Sequence, residues 1–214
     1  MKLLLVRHGQ TDWNVAGRFR GQTDTPLNAT GQRQAAAVSQ VLRLEAVQAV
    51  YASDLQRAQE TARCIAASLN LTVQLEPRLR EMAFGQWEGL TYAEIQQRQP
   101  EALMAWQKAP QRRAPPHGET LVQVTDRVRQ ALQKTVKAHA EETIVLVAHG
   151  GPLRILLCLA LGLPPQAYWQ FAMQPGSLSE LHVYDEGAIL TRLNDTHHLH
   201  EADDDSTGRH DSGQ

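Results

Sequence analysis

Cysteine is scarce in this chain, with only Cys64 and Cys158 among 214 residues. Two thiols so far apart in sequence build neither a disulfide framework nor a zinc knuckle. Each is expected to pack as a small apolar residue in a helix, which suits a reducing, cytoplasmic setting. Long apolar runs are missing as well. Nothing approaches the roughly 20 apolar residues that cross a bilayer, so no membrane segment is expected. The apolar opening, residues 1–6, stops at Arg7 and is too short for a secretory leader. Charge of one sign is the third absence: 21 Lys and Arg stand against 23 Asp and Glu, a formal net charge of −2. That balance gives no overall field for nucleic acid or a membrane surface. Any anion site must come from a local cluster of cations.

What is present describes one domain. An apolar share of 42% and a charged share of 21% belong to a globular protein. The length suits a single well-buried core, expected over residues 1–199. From His200 onward the chain turns to Asp, Ser, Gly and His without apolar anchors, and residues 200–214 are read as a disordered tail. The run Asp203-Asp204-Asp205 reads as solvated charge.

The chain is organised around Leu3-Leu4-Leu5-Val6-Arg7-His8-Gly9. Four apolar residues run into a cation, an imidazole and a glycine, which predicts a strand buried on both faces. Arg7 and His8 then stand at the carboxyl end of that strand, where open parallel sheets place their ligands. Residues 15–26 lack any period and read as a loop. Helical spacing returns over residues 30–44, strand character over 47–51, and helical spacing again to about residue 69, with Ser53 or Asp54 as its cap. Residues 71–75 alternate as a third strand. Strand, helix, strand, helix, strand predicts a three-layer α/β/α sandwich with a mostly parallel central sheet. Residues 85–118, broken by Pro110, Pro115, Pro116 and Gly118, read as an inserted lid over the site. A long helix follows at 120–139, then a strongly buried strand at 141–148. Two late strands, 179–184 and 188–193, offer an edge for a possible homodimer.

The strand at 141–148 repeats the opening logic. It runs into His149-Gly150-Gly151-Pro152, where proline suits the first turn of a helix. The free amides and positive end of that helix favour an anion beside His149 and Gly150. A lone strand-end histidine also reads as a structural residue. Two strands that both end in His-Gly place two imidazoles in one crevice.

The Arg7-His8-Gly9 stretch resembles the Arg-His-Gly motif of the histidine phosphatase superfamily, which includes the cofactor-dependent phosphoglycerate mutases. Ser53-Asp54-Leu55-Gln56-Arg57-Ala58 resembles the family's second basic motif. Leu79-Arg80-Glu81-Met82-Ala83-Phe84-Gly85 resembles the motif that carries its proton donor, with Glu88 a rival to Glu81. His149 matches the late histidine, and Asn194, His198 and Leu199 resemble the family's closing segment. The resemblance implies catalytic roles for His8, Glu81, His149, Arg7 and Arg57. It also implies that Asn14, Gln22 and Thr23 hydrogen-bond phosphate or substrate.

These motifs imply a metal-independent phosphomonoesterase acting on small phosphorylated metabolites through a phosphohistidine, with no cofactor and no metal. Two readings stay open beside it. One is a phosphoglycerate mutase dependent on 2,3-bisphosphoglycerate, with Lys108, Arg112 and Arg113 in the insertion as grips for a second anionic group. The other is a non-catalytic phospho-ligand binding module. His197, His198 and His200 also suggest a metal cluster, but they lack partner cysteines and a preformed frame.

Overall fold

Alternation along the first strand decides how the layers assemble. The computed structural model describes residues 1–200. In β1 (Lys2–Arg7), Leu3 and Leu5 enter one core cluster while Leu4 and Val6 enter another, and all four are fully buried. The same period of two recurs further along the chain. β2 (Val47–Ala52) sends Ala49 and Tyr51 one way and Val50 and Ala52 the other. β4 (Thr143–Ala148) divides Ile144, Leu146 and Ala148 from Val145 and Val147. Each such aliphatic side chain removed from water contributes roughly 1.5–3 kcal/mol.

Helices cover both faces of the sheet. α1 (Asp12–Val15) is one turn, and α2 (Ala29–Leu42) packs with α3 (Gln56–Ser68) on the face of Leu4 and Val6. α6 (Leu121–Ala138) and α7 (Gly150–Ala160) cover the face of Leu3 and Leu5. With β3 (Val73–Leu75), β5 (Leu178–Tyr184) and β6 (Gly187–Asp195), the sheet has six strands in the order β3-β2-β4-β1-β5-β6. The first four are mutually parallel, and β5 and β6 run antiparallel at the far edge. This is the expected α/β/α sandwich with a mostly parallel sheet.

Two of the differences from the sequence reading have a clear physical cause. β3 begins at Val73 rather than residue 71, because residues 70–71 close α3. Asn70 takes the left-handed conformation (φ 55°), and the Leu71 N–H donates to the Ala66 carbonyl at 2.9 Å. That is a helix-terminating turn in which asparagine is favoured. α3 itself is capped by neither Ser53 nor Asp54. Its N-cap is Leu55, and Asp24 accepts the Gln56 N–H at 2.6 Å from a distant loop.

The insertion brings its own small core. Residues 85–118 hold α4 (Tyr92–Arg98) and α5 (Pro100–Lys108), wrapped on Trp87, Ile95 and Leu103. Phe19 and Phe84 pack edge-on against this cluster. Phe19 and Leu90 are also joined through backbone, so the insertion ties down the loop that follows α1. At the other end, His200 lies in a helical turn over residues 197–200 rather than opening the tail, and residues 201–214 lie outside the described residues. Among the described residues, no helix is long and apolar enough to cross a membrane.

Candidate active site

The register of β1 against β4 puts both histidines at one place. Arg7 pairs with Ala148, and the His8 N–H donates to the Ala148 carbonyl at 3.0 Å. The residues that follow, His8 and His149, therefore emerge side by side, with ring centroids 5.0 Å apart. Both rings are buried. His8 Nδ1 lies 2.6 Å from the Gly9 carbonyl. A carbonyl only accepts, so Nδ1 carries the hydrogen and Nε2 keeps the lone pair. Glycine is required at position 9 because a Cβ there would collide with the Gly31 backbone at the start of α2. His149 is the N-cap of α7, which begins at Gly150, two residues before the start expected at Pro152. The His149 Nε2 meets Ser53 Oγ at 2.9 Å, and its buried Nδ1 has no partner among the described residues.

Cations surround the pair. Arg57, fully buried in the first turn of α3, donates Nη1 to the Thr23 carbonyl at 2.9 Å and Nη2 to the Gly21 carbonyl at 2.8 Å. Arg7 donates Nη1 to the Met173 carbonyl. The Nε groups of Arg7, Arg57 and Arg154 are buried and have no partner among the described residues. Burial, followed by Arg20, Arg154 and Arg57, pushes Arg7 down to about 9, and burial pushes Arg57 down to about 10. Both guanidinium groups stay charged at neutral pH. Burial, then Arg57 and Arg7, holds His8 well below 6.5, and burial with Arg57 and His8 does the same to His149. Both imidazoles are neutral at pH 7.

Glu81 lies across a cavity of about 450 Å³ lined also by Arg7, Asn14, Gly150 and Gly151. Its carboxylate accepts the Met82 N–H at 2.9 Å and the Gly151 N–H at 3.3 Å. Asn14 uses Oδ1 to accept from Thr11, which leaves its amide hydrogens as the group it can offer to the cavity. Gln22 and Thr23 sit differently. Their backbone N–H groups and the Thr23 hydroxyl donate to Glu88, and Gln22 Nε2 donates to the Glu81 carbonyl at 3.2 Å. Glu88 also accepts the Phe84 N–H, so this rival of Glu81 is committed to loop backbone and does not line the cavity. Lys108, Arg112 and Arg113 are exposed and line none of it. The insertion backs the cavity through Phe19 and Phe84, and no residue of 85–118 forms its wall. Among the described residues, no group of three His, Cys, Asp or Glu side chains is placed to hold a metal ion. His198 Nε2 donates instead to the Gly176 carbonyl at 3.0 Å. Gly176 in turn donates its N–H to the carbonyls of Arg7 and His8, which ties the closing segment to the site.

A family model for the histidine phosphatase superfamily (branch 1) matches residues 3–196. The chain belongs to this superfamily. It is 35% identical to phosphoserine phosphatase 1 of Hydrogenobacter thermophilus, over 94% of this chain and 95% of that one. It is 34% identical to the adenosylcobalamin/alpha-ribazole phosphatase of Escherichia coli, over 91% and 96%. A mycobacterial glucosyl-3-phosphoglycerate phosphatase, solved in complex with VO3, superposes with a TM-score of 0.83 at 36% identity, covering 91% of this chain and 99% of that one. All three of these relatives are named as phosphatases.

Two cavity residues escaped the motif reading of this histidine phosphatase. Arg20 comes from the loop after α1, and Arg154 lies one turn into α7. Arg154 had a usable signal, since it sits four residues after Gly150 and so on the same helical face. Arg20 had none, because only the long-range bonds of its loop bring it in.

Proposed function

We propose that the chain hydrolyses small phosphomonoesters with His8 as nucleophile. In the first step the Nε2 lone pair attacks phosphorus, the bond from phosphorus to the ester oxygen breaks, and protonated Glu81 gives its proton to that oxygen. In the second step water attacks the phosphohistidine, the P–N bond breaks, and the Glu81 carboxylate takes the water's proton. Arg7, Arg57, His149 Nδ1 and the Gly150 amide face the negative charge on the transferring group, which is the main task in phosphoryl transfer. Asn14 adds an amide donor. Gln22 and Thr23 act indirectly here: the Thr23 carbonyl holds Arg57, and Gln22 Nε2 holds the Glu81 carbonyl.

The observation that carries this reading is the His8–Gly9 hydrogen bond, which leaves Nε2 as a neutral, lone-pair nitrogen beside guanidinium groups. A module that only binds phosphate has no need of that tautomer or of Glu81. Free thiols at Cys64 and Cys158 support a reducing, cytoplasmic setting. The sheet-edge strand β6 is where a homodimer would pair.

Phosphorus NMR with 3-phosphoglycerate, a trace of 2,3-bisphosphoglycerate and EDTA tests the reaction type. Inorganic phosphate is the expected product, and growth of 2-phosphoglycerate without free phosphate would replace hydrolysis with mutase chemistry. His8→Ala is expected to abolish turnover while still binding phosphate. Turnover at the wild-type rate in that variant would exclude His8 as nucleophile.

A further inference from the structure

The cavity holds more positive charge than one phosphoryl group calls for. A phosphomonoester brings at most two negative charges to its reacting end. Arg7 and Arg57, with the unpartnered His149 Nδ1, already answer that charge around His8. Arg20 and Arg154 line the cavity together with Arg7, and neither side chain forms a hydrogen bond or ion pair with the protein among the described residues. Other arginines behave differently: Arg80 is bound to Asp54 and Arg127 to Glu119. Arg18, also in the cavity wall, is bound to Glu94. Arg154 Nε is buried with nothing to donate to. Glu81 is the carboxylate that acts on Arg20, and the same group also serves Arg7 and Arg57. One carboxylate thus stands against several half-buried or buried guanidinium groups, a costly arrangement that a ligand anion would offset.

We propose that Arg20 and Arg154 bind a second anionic group, a carboxylate or a second phosphate, on the alcohol part of the substrate. The proposal rests on the phosphomonoesterase reading and adds the substrate class to it. The planar fork of arginine suits either oxyanion through paired hydrogen bonds. Tyr168 and Ile155 form the wall beside Arg154, where the carbon frame joining the two anions would lie. The exposed cations of the insertion take no part.

The test is phosphate release from matched substrates. O-phosphoserine is set against O-phosphoethanolamine, 3-phosphoglycerate against glycerol 3-phosphate, and glucose 1,6-bisphosphate against glucose 6-phosphate. We expect kcat/KM to favour the member with the extra anion about 10-fold or more in at least one pair, the scale of charge-assisted hydrogen bonds. Which pair responds distinguishes carboxylate from phosphate. Arg20→Gln and Arg154→Gln should each shrink that preference at least several-fold. If either variant lacks a folded thermal transition, Arg20→Lys or Arg154→Lys takes its place, keeping the charge and losing the fork. Turnover without preference in any pair overturns the proposal alone, as does a preference that both variants retain. No phosphate release from any pair or from an aryl phosphate overturns the phosphomonoesterase reading as well.

Discussion

Arg127 holds Glu119 through two hydrogen bonds of 2.9 Å, and the pair clamps the segment that carries Glu81. Arg127 donates further to the carbonyls of Arg78, Arg80 and Glu81, at 2.8, 2.5 and 3.0 Å. Glu119 accepts the Ala83 N–H at 2.9 Å from the other side. Neither residue lines the cavity, so the pair holds the segment of Glu81, the proposed proton donor, without facing the cavity itself.

Arg127→Ala should therefore lower kcat roughly 10- to 100-fold, the scale expected when a reacting group shifts by about 1 Å. KM should change little, because Arg7 and Arg57, proposed to face phosphate, are untouched. Arg127→Lys should recover only part of the loss, since it cannot reach several carbonyls at once. A loss confined to KM would show that the clamp acts on binding instead.

Gly151 is small for the sake of Glu81. A Cβ at this position would collide with Glu81 Oε1. Alanine is a good helix former in the first turn of α7, so Gly151→Ala should leave the melting temperature within a few degrees of wild type. Activity should fall about 10-fold or more as the carboxylate is displaced. Wild-type activity in a folded Gly151→Ala protein would remove Glu81 from the proposed mechanism.

Acid should weaken the fold before any ordinary carboxylate titrates. His8 and His149 are held well below 6.5, and burial lowers His198 too. Unfolded, each takes up a proton near pH 6.5; folded, it takes one up only at lower pH. The unfolded state thus binds more protons below that pH, and stability is full above it and falls as pH drops. The slope approaches about 1.4 kcal/mol per pH unit for each of His8 and His149 as pH falls below 6.5. Urea unfolding at about pH 7 and pH 5.5 measures it, and His8→Asn should make the drop smaller. An equal drop in the variant would show that His8 is not held neutral.

Much of this protein was legible along the chain because the information is local. Leu3 to Val6 and Thr143 to Ala148 are apolar enough to be buried strands, and backbone continuity then carries His8 and His149 to the strand ends. Arg57 sits in the first turn of its helix, where its number in the chain already puts it near a strand end. What the chain could not disclose depends on contacts between distant segments. Ser53 looked like a helix cap, but it faces His149 across 96 positions of sequence, and Asp24 caps the helix in its place. Gln22 and Thr23 matched a ligand motif, yet Glu88 fixes their backbone from 65 and 66 positions away. Lys108, Arg112 and Arg113 had the charge for a second anion and Arg20 and Arg154 have the place. Sequence by itself determined the layers, the strand ends and the motif residues, because period and chain continuity are properties of neighbours. Only the tertiary structure decided which cations share the cavity, because a loop's position is set by the hydrogen bonds and aromatic packing that distant residues supply.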